Sequence, residues 1–312
     1  MNKIKIETIT QIEELGYVDD WVYDIEMMDK NLPYFFGNDI LVHNSTYFTV
    51  PAKDKEEAVE MSDFIAERVN KSYPKFMKHA FLCQPVFDKM IACGREIVGD
   101  NSIFVNKKLY TIHVVDNEGK AEDKIKTMGL AIKKTTLPKP IATKLTSFVK
   151  RLLIGEDWST ISRDVVDYKK ELKNLDNLLE MGLPKGVNGL EDYYKKYLDN
   201  AGTNLPGHVA ASIFYNMNLK EYEDYDNAPI SSGNKIKVYY LKKPMGRFKA
   251  IALPTDLEMV PEWFTEHFIN RLDVDLQISK LVDDPFQSIL EAIDYKVPTE
   301  QLLSMEDAFE WD

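Results

Sequence analysis

Apolar residues recur along this chain at two different periods. Near the start, Lys3-Ile4-Lys5-Ile6 alternates polar and apolar, and Trp21 to Ile25 is rich in β-branched and aromatic residues, so residues 1–44 predict short strands. Thr46-Tyr47-Phe48-Thr49-Val50 predicts another strand, stopped by Pro51. From Asp54 to Ala80 the period changes. Ala58, Met61, Ile65 and Val69 share one face of a helix, acids cluster in its first turn, and Pro74 predicts a break or kink. Strands are expected again near 89–97, 102–105 and 109–115, joined by turns at Gly99-Asp100-Asn101 and Asp116-Asn117-Glu118-Gly119. Past Pro138 and Pro140 the pattern is helical through Ile141–Ile154 and Trp158–Met181. A Gly- and Pro-rich connection, Gly182-Leu183-Pro184-Lys185-Gly186, follows. No segment repeats, and none is of low complexity.

The chain has 312 residues, enough for about two domains at ~150 residues each. No apolar run approaches the ~18 residues of a membrane span, and Met1-Asn2-Lys3 does not open a secretory signal, so no membrane partner is expected. Cys83 and Cys93 are too far apart for a Cys-x-x-Cys metal or redox motif. The net charge of −12 speaks against nucleic-acid binding until its distribution is considered. Nine Lys/Arg stand between Lys120 and Arg151 against Glu122 and Asp123, whereas Asp283 to Asp312 holds nine acids against Lys296.

The junction Leu41-Val42-His43-Asn44-Ser45 carries specific chemistry. The side-chain amide of Asn44 is placed to attack its own peptide carbonyl, forming a succinimide and cutting the chain. His43 can protonate the leaving group, and Ser45 offers a hydroxyl nucleophile. A plain Asn-Ser turn after a strand uses the same residues. Together, Val22-Tyr23-Asp24-Ile25-Glu26 and Tyr34-Phe35-Phe36-Gly37-Asn38-Asp39-Ile40-Leu41-Val42-His43-Asn44 resemble the last two blocks of inteins, the self-splicing protein elements. The resemblance covers roughly residues 1–44. It implies that Asn44 cyclises, His43 assists, Ser45 accepts the acyl group and Asp24 is the acid of the upstream block. Where that block usually has a histidine this chain has Pro33, which transfers no proton. With Met1 so near the first block, a split intein is expected. Residues 1–44 would be its C-terminal fragment, folding on an N-terminal fragment carried by a partner chain.

From Ser45 onward the chain resembles the C-terminal third of bacteriophage-type family B DNA polymerases. Ser45-Thr46-Tyr47-Phe48 fits the end of the hairpin Tyr-x-Asp-Thr-Asp-Ser and its following strand. Lys107-Lys108-Leu109-Tyr110 is similar to the Lys-x-Tyr motif at the palm–thumb border. Lys124 to Leu130 with Lys133 to Pro138 resembles the entry to the thumb. Leu205-Pro206-Gly207-His208 with Ile213-Phe214-Tyr215-Asn216 matches a later thumb segment, and Ser304 to Trp311 resembles the peptide that binds the sliding clamp. The implied class is α+β, with an all-β intein piece at 1–44, part of a palm at 45–119, a largely helical thumb at 120–300 and a clamp-binding tail at 301–312.

This resemblance implies a DNA-directed DNA polymerase completed by an N-terminal half, working in the cytoplasm of a phage-infected bacterium. Its partners would be that half, primer–template DNA, deoxynucleoside triphosphates and the clamp. Lys107, Lys108, Tyr110, Lys126, Lys133 and Lys134 are the expected DNA contacts, and Met305, Phe309 and Trp311 the clamp contacts. Glu306 stands where the clamp motif usually has Phe. Lys108 and Tyr110, two apart on a strand, would face the same way. A solvated lysine-rich face and a disordered terminus remain the plain alternatives. No metal site is expected here. The Mg²⁺ of the assembled enzyme would sit on carboxylates outside this chain, and splicing needs no cofactor. A second reading of 45–312 is a DNA-binding subunit that assembles with a catalytic half without splicing.

Overall fold

The computed structural model describes residues 17–18, 21–27, 34–37, 40–43, 46–82, 84, 92–133, 136–174, 178–199 and 204–309. The chain divides into two compact units, one made of residues 1–130, 150–156 and 291–295, the other of the remainder. The first contains β1 (Tyr17–Val18), β2 (Trp21–Met27), the hairpin β3 (Tyr34–Gly37) and β4 (Ile40–His43), and β5 (Thr46–Val50). Helix α1 (Lys55–Phe81) follows, and then β6 (Cys93–Asn106), β7 (Leu109–Asn117) and β8 (Lys120–Met128).

These strands form a sheet in the order β5-β2-β6-β7-β8, with β1 also on β6, while β3 and β4 pair only with each other among the described residues. Helix α1 covers one face, where Ala58, Ala66 and Tyr73 pack with Val50, Cys93 and Val98. Ile97, Tyr110, Ile112 and Val114 form a second apolar cluster with Tyr47 and Phe104. Asp54 caps α1 by accepting from the Glu57 N–H at 2.8 Å, and Leu82 closes it in the left-handed region. The helix runs on through Pro74, against expectation. A proline inside a helix costs about 3 kcal/mol. Buried Tyr73 and Met77 on either side each contribute about 2 kcal/mol, which offsets it. Asn70, whose carbonyl loses its helical donor to Pro74, ties its side chain to the Cys93 backbone at 2.8 and 2.9 Å.

A further expectation is corrected. Gly99-Asp100-Asn101 is not a turn: β6 continues through it, and shifts of register on either side of Gly99 absorb the extra residues as bulges. Lys120–Met128 is a strand of this same sheet, and the first unit runs on to Leu130. Strand β2 hydrogen-bonds between β5 and β6. The turn at Asp116 to Gly119 forms as expected between β7 and β8.

Polar ties lock β6, β7 and β8 together. Arg95 of β6 pairs with Asp116 of β7, both side chains being buried, and reaches Asp63 of α1 at 3.0 Å. His113 of β7 holds Asp100 of β6 and Asp123 of β8, each at 2.7 Å. Lys150 joins Asp123 at 2.6 Å, and these contacts hold the Asp123 carboxyl below its usual pKa.

The second unit holds most of α2 (Lys139–Leu153), then α3 (Trp158–Lys173), β9 (Leu183–Gly186), α4 (Leu190–Asp199), α5 (Gly207–Glu221), β10 (Lys235–Met245) and β11 (Phe248–Pro254). After these come α6 (Glu262–His267), α7 (Val274–Ile278), α8 (Asp284–Glu291) and α9 (Glu300–Phe309). It also holds a small sheet. The Gly- and Pro-rich connection at 182–186 supplies β9, which pairs with β10 in a sheet ordered β11-β10-β9. The helix expected to Met181 ends at Lys173. Phe214 of α5 stacks on Phe248 of β11 at 4.6 Å, and buried Gln277 donates to the Met181 and Val238 carbonyls. No helix among the described residues is long and apolar enough to cross a membrane.

Gly129, which follows β8 with φ +68°, sets the approach of that strand to the β6–β7 turn. A Cβ there would lie 2.5 Å from Leu109 Cδ2 and closer still to the Lys108 carbonyl oxygen. Gly119 has φ +85° but open space around it. In denaturant unfolding, Gly119→Ala is expected to cost about 1 kcal/mol for its backbone conformation alone. Gly129→Ala should cost roughly 2 kcal/mol more. Equal losses would contradict the close approach.

Candidate nucleic-acid interface

The expected DNA contacts are only partly assembled. Lys107 and Lys108 form the exposed two-residue turn between β6 and β7, with the Lys107 N–H donating to Asn106 Oδ1 at 2.6 Å. Lys108 has φ +63°, so it is not a strand residue, and the alternation that would align it with Tyr110 does not apply. Tyr110 is buried instead. Its hydroxyl hydrogen-bonds that of Tyr47, and its ring sits edge-on to Tyr47 with centroids 4.8 Å apart and beside Phe104. Its polar end reaches a partner, as a buried tyrosine requires. Lys126, on β8, pairs with Glu96 of β6 at 2.6 Å, both partly buried, so its charge is largely neutralised inside the sheet. Lys133 is exposed at the end of a single 3₁₀ turn, and Lys134 lies outside the described residues.

The splicing and clamp residues fall at the margins. Asp24 lies on β2 in register with Tyr47, and His43 ends β4 in register with Tyr34. Asn44 and Ser45 lie outside the described residues. Met305 and Phe309 are on α9, but only their backbone is described, and Trp311 lies outside.

A stronger cationic site, missed in the sequence, lies in the second unit. A cavity of about 450 Å³ is lined by Lys185, His208, Arg247 and Lys249, with Asn204 and Tyr240 as neutral polar groups. Each cation comes from a different place. Lys185 is on β9, in register with Ile236 of β10. His208 opens α5, Arg247 sits in the β10–β11 turn and Lys249 begins β11. The sheet and α5 bring them together. Arg247 is steadied by lying 5.2 Å over the Tyr197 ring.

The first turn of α5 lines the cavity through Gly207 and His208. Its cap residue, Pro206, has no side-chain acceptor for the free N–H groups at that end. The positive end of the helix dipole therefore adds to the cations. No carboxylate is among the described residues lining this cavity. By contrast, a larger one of about 1040 Å³ is ringed by Asp224, Asp226, Asp256, Glu258, Glu262 and Glu266 and repels anions. In a chain of net charge −12, that contrast makes the smaller cavity the more favourable of the two for an anion.

Burial, and then the Lys185 charge, hold the His208 imidazole below its usual pKa of 6.5. The unfolded chain therefore takes up this proton first. The stability His208 contributes is present above the ordinary value and lost as pH falls through the depressed one. In an NMR titration the His208 ring should protonate below the ordinary range, and Lys185→Ala should raise the midpoint without restoring it fully. An unchanged midpoint would remove Lys185 from the site.

No protein-family profile matches the chain. It is 25% identical over 243 residues to the DNA-directed DNA polymerase of Enterobacteria phage T4, covering 76% of this chain and 25% of that protein. It is 25% identical over 246 residues to the DNA-directed DNA polymerase of Escherichia phage RB69, covering 78% and 25%. The chain thus spans about a quarter of the length of these curated relatives, and contains a region related to phage DNA polymerases.

Proposed function

We propose that this chain is the precursor of the C-terminal, DNA-gripping section of a phage-type family B DNA polymerase, joined to its N-terminal half by splicing. The distant relation to two phage polymerases supports the enzyme class. The carboxylate-free cavity of Lys185, His208, Arg247 and Lys249 carries the grip. Cations that meet phosphates without reading bases hold any sequence, which suits a copying enzyme. The exposed Lys107–Lys108 turn is the second contact, with Lys133 as an outlying one.

The carboxylates of the first unit do not fit the metal ions of nucleotide addition. Asp116 is engaged by Arg95, and Asp100 and Asp123 by His113. Among the described residues no cluster of three ligating groups stands together. On this proposal, the Mg²⁺ ions that meet the incoming triphosphate are held by carboxylates of the N-terminal half. In splicing, the Ser45 hydroxyl attacks the acyl group that the partner's intein fragment carries on its first nucleophile, displacing that nucleophile, which takes up the hydroxyl proton. The Asn44 side-chain nitrogen then attacks its own carbonyl, which breaks the 44–45 bond and frees the Ser45 amine. His43 protonates that amine as it leaves, and Asp24 is the supporting acid. The amine attacks the ester and restores a peptide bond. Met305, Phe309 and Trp311 are the clamp anchors.

Primer–template binding by fluorescence anisotropy across a salt series tests the grip. Removing one phosphate-neutralising cation lowers the logarithmic salt slope by about 0.9. The Lys185→Ala/Arg247→Ala/Lys249→Ala variant should flatten the slope by roughly 2–3 and weaken binding at least tenfold. Lys107→Ala/Lys108→Ala should flatten it by up to about 2. Lys126→Ala, which removes a cation already paired with Glu96, should leave the slope unchanged. Wild-type slopes in both cation variants would overturn the proposed interface.

A further inference from the structure

We infer that β2 is a placeholder: it fills the sheet position between β5 and β6 that the polymerase segment ligated to Ser45 takes over when residues 1–44 depart. The inference rests on the splicing reading above. Trp21 to Ile25 of β2 pair with Val50 to Thr46 of β5, and Val22 to Met27 pair with Gly99 to Cys93 of β6. Among the described residues, β5 has no sheet neighbour except β2. All of β2 lies upstream of Asn44, so excision removes an inner strand and leaves β5 without that neighbour.

The gap cannot close. Both flanking strands run antiparallel to β2, hence parallel to each other, and α1 connects them. That helix is anchored on both sides of the gap, with Ala58, Ala66 and Tyr73 packed against Val50 of β5 and against Cys93 and Val98 of β6. Neighbouring strands stand ~4.8 Å apart, so loss of β2 leaves β5 and β6 about 9.6 Å apart, too far to hydrogen-bond. Two rows of backbone N–H and C=O groups would then need a new partner. One strand fits such a slot.

The direction of that strand is fixed as well. Only Ser45 separates the ligation point from β5. A segment that turns back tightly upstream of Ser45 runs antiparallel to β5, as β2 does, and therefore antiparallel to β6. The occupant is thus a strand on the partner polypeptide, matching β2 in length and joined to Ser45 through a short turn. β1, which pairs Tyr17 with Ile103 and Val18 with Ser102, leaves with the same excision and lets that strand extend along β6.

The test combines intact mass with amide hydrogen exchange. The full chain is mixed with a recombinant polymerase N-terminal half, ending in its palm hairpin and fused to an N-terminal intein fragment. Asn44→Ala supplies the unspliced state. The expected result is exchange slowed at least tenfold at Thr46–Val50 and Cys93–Gly99, relative to the Lys107–Lys108 turn, in both the Asn44→Ala chain and the ligated product. In the product a newly slowed segment should also appear just upstream of Ser45. Ligated mass without protection at either stretch, or an unprotected Thr46–Val50 in the Asn44→Ala chain, overturns the placeholder alone. Absence of any ligated mass overturns it together with the splicing reading.

Discussion

Backbone groups inside a sheet need partners, and in this molecule that demand falls most heavily on β6. Its 14 residues hydrogen-bond β1 and β2 on one side and β7 on the other. Its side chains supply Arg95 and Glu96 to ion pairs with Asp116 and Lys126, and Asp100 to a hydrogen bond with His113. Breaking a buried pair such as Arg95–Asp116 by removing one partner costs about 3–5 kcal/mol, a large share of the ~5–15 kcal/mol that holds a domain together. The charge in this sheet is therefore structural. The turn at its rim leaves Lys107 and Lys108 exposed.

The second unit solves the opposite problem. In a chain of net charge −12, positive charge is concentrated by enclosure. Three cations, a histidine and a helix N-terminus line one concavity with no carboxylate among its described residues, while acids gather around another. Low-dielectric walls focus such a field over a few ångströms, so the sign of the local surface, and not of the sum, decides what binds. His208, held neutral by burial and by Lys185, takes up a proton most readily once an anion offsets those costs.

Local signals are legible in the sequence. Helix α1, β5, β7, α2 and the Asp116–Gly119 turn are all set by short-range periodicity and turn chemistry. Signals that depend on a distant partner are not. Gly99-Asp100-Asn101 has the composition of a turn, yet pairing with β7 on one side and β2 on the other carries β6 through it. Lys120–Met128 is too charged to look like a strand until His113 is seen to hydrogen-bond Asp123 and Glu96 to pair with Lys126. Motif alone assigns Tyr110 and Lys126 to DNA, and it carries no sign of the burial of the one or the cross-strand carboxylate beside the other. Lys185, Arg247 and Lys249 come from segments about 60 residues apart in sequence, and only the β9–β10–β11 sheet brings them together. The Leu205–His208 stretch points to this place, but nothing local to it marks His208 as the neighbour of three cations.

The measurement that bears most directly on the polymerase-precursor reading is a time course of primer extension after this chain meets the N-terminal half carrying its intein fragment. Neither polypeptide alone should extend a primer. Extension in the mixture should rise in step with the loss of residues 1–44, and should not develop with the Asn44→Ala chain. Extension that begins at once and equally with Asn44→Ala would mean two chains that assemble without splicing. A mixture that never extends would contradict the polymerase reading itself.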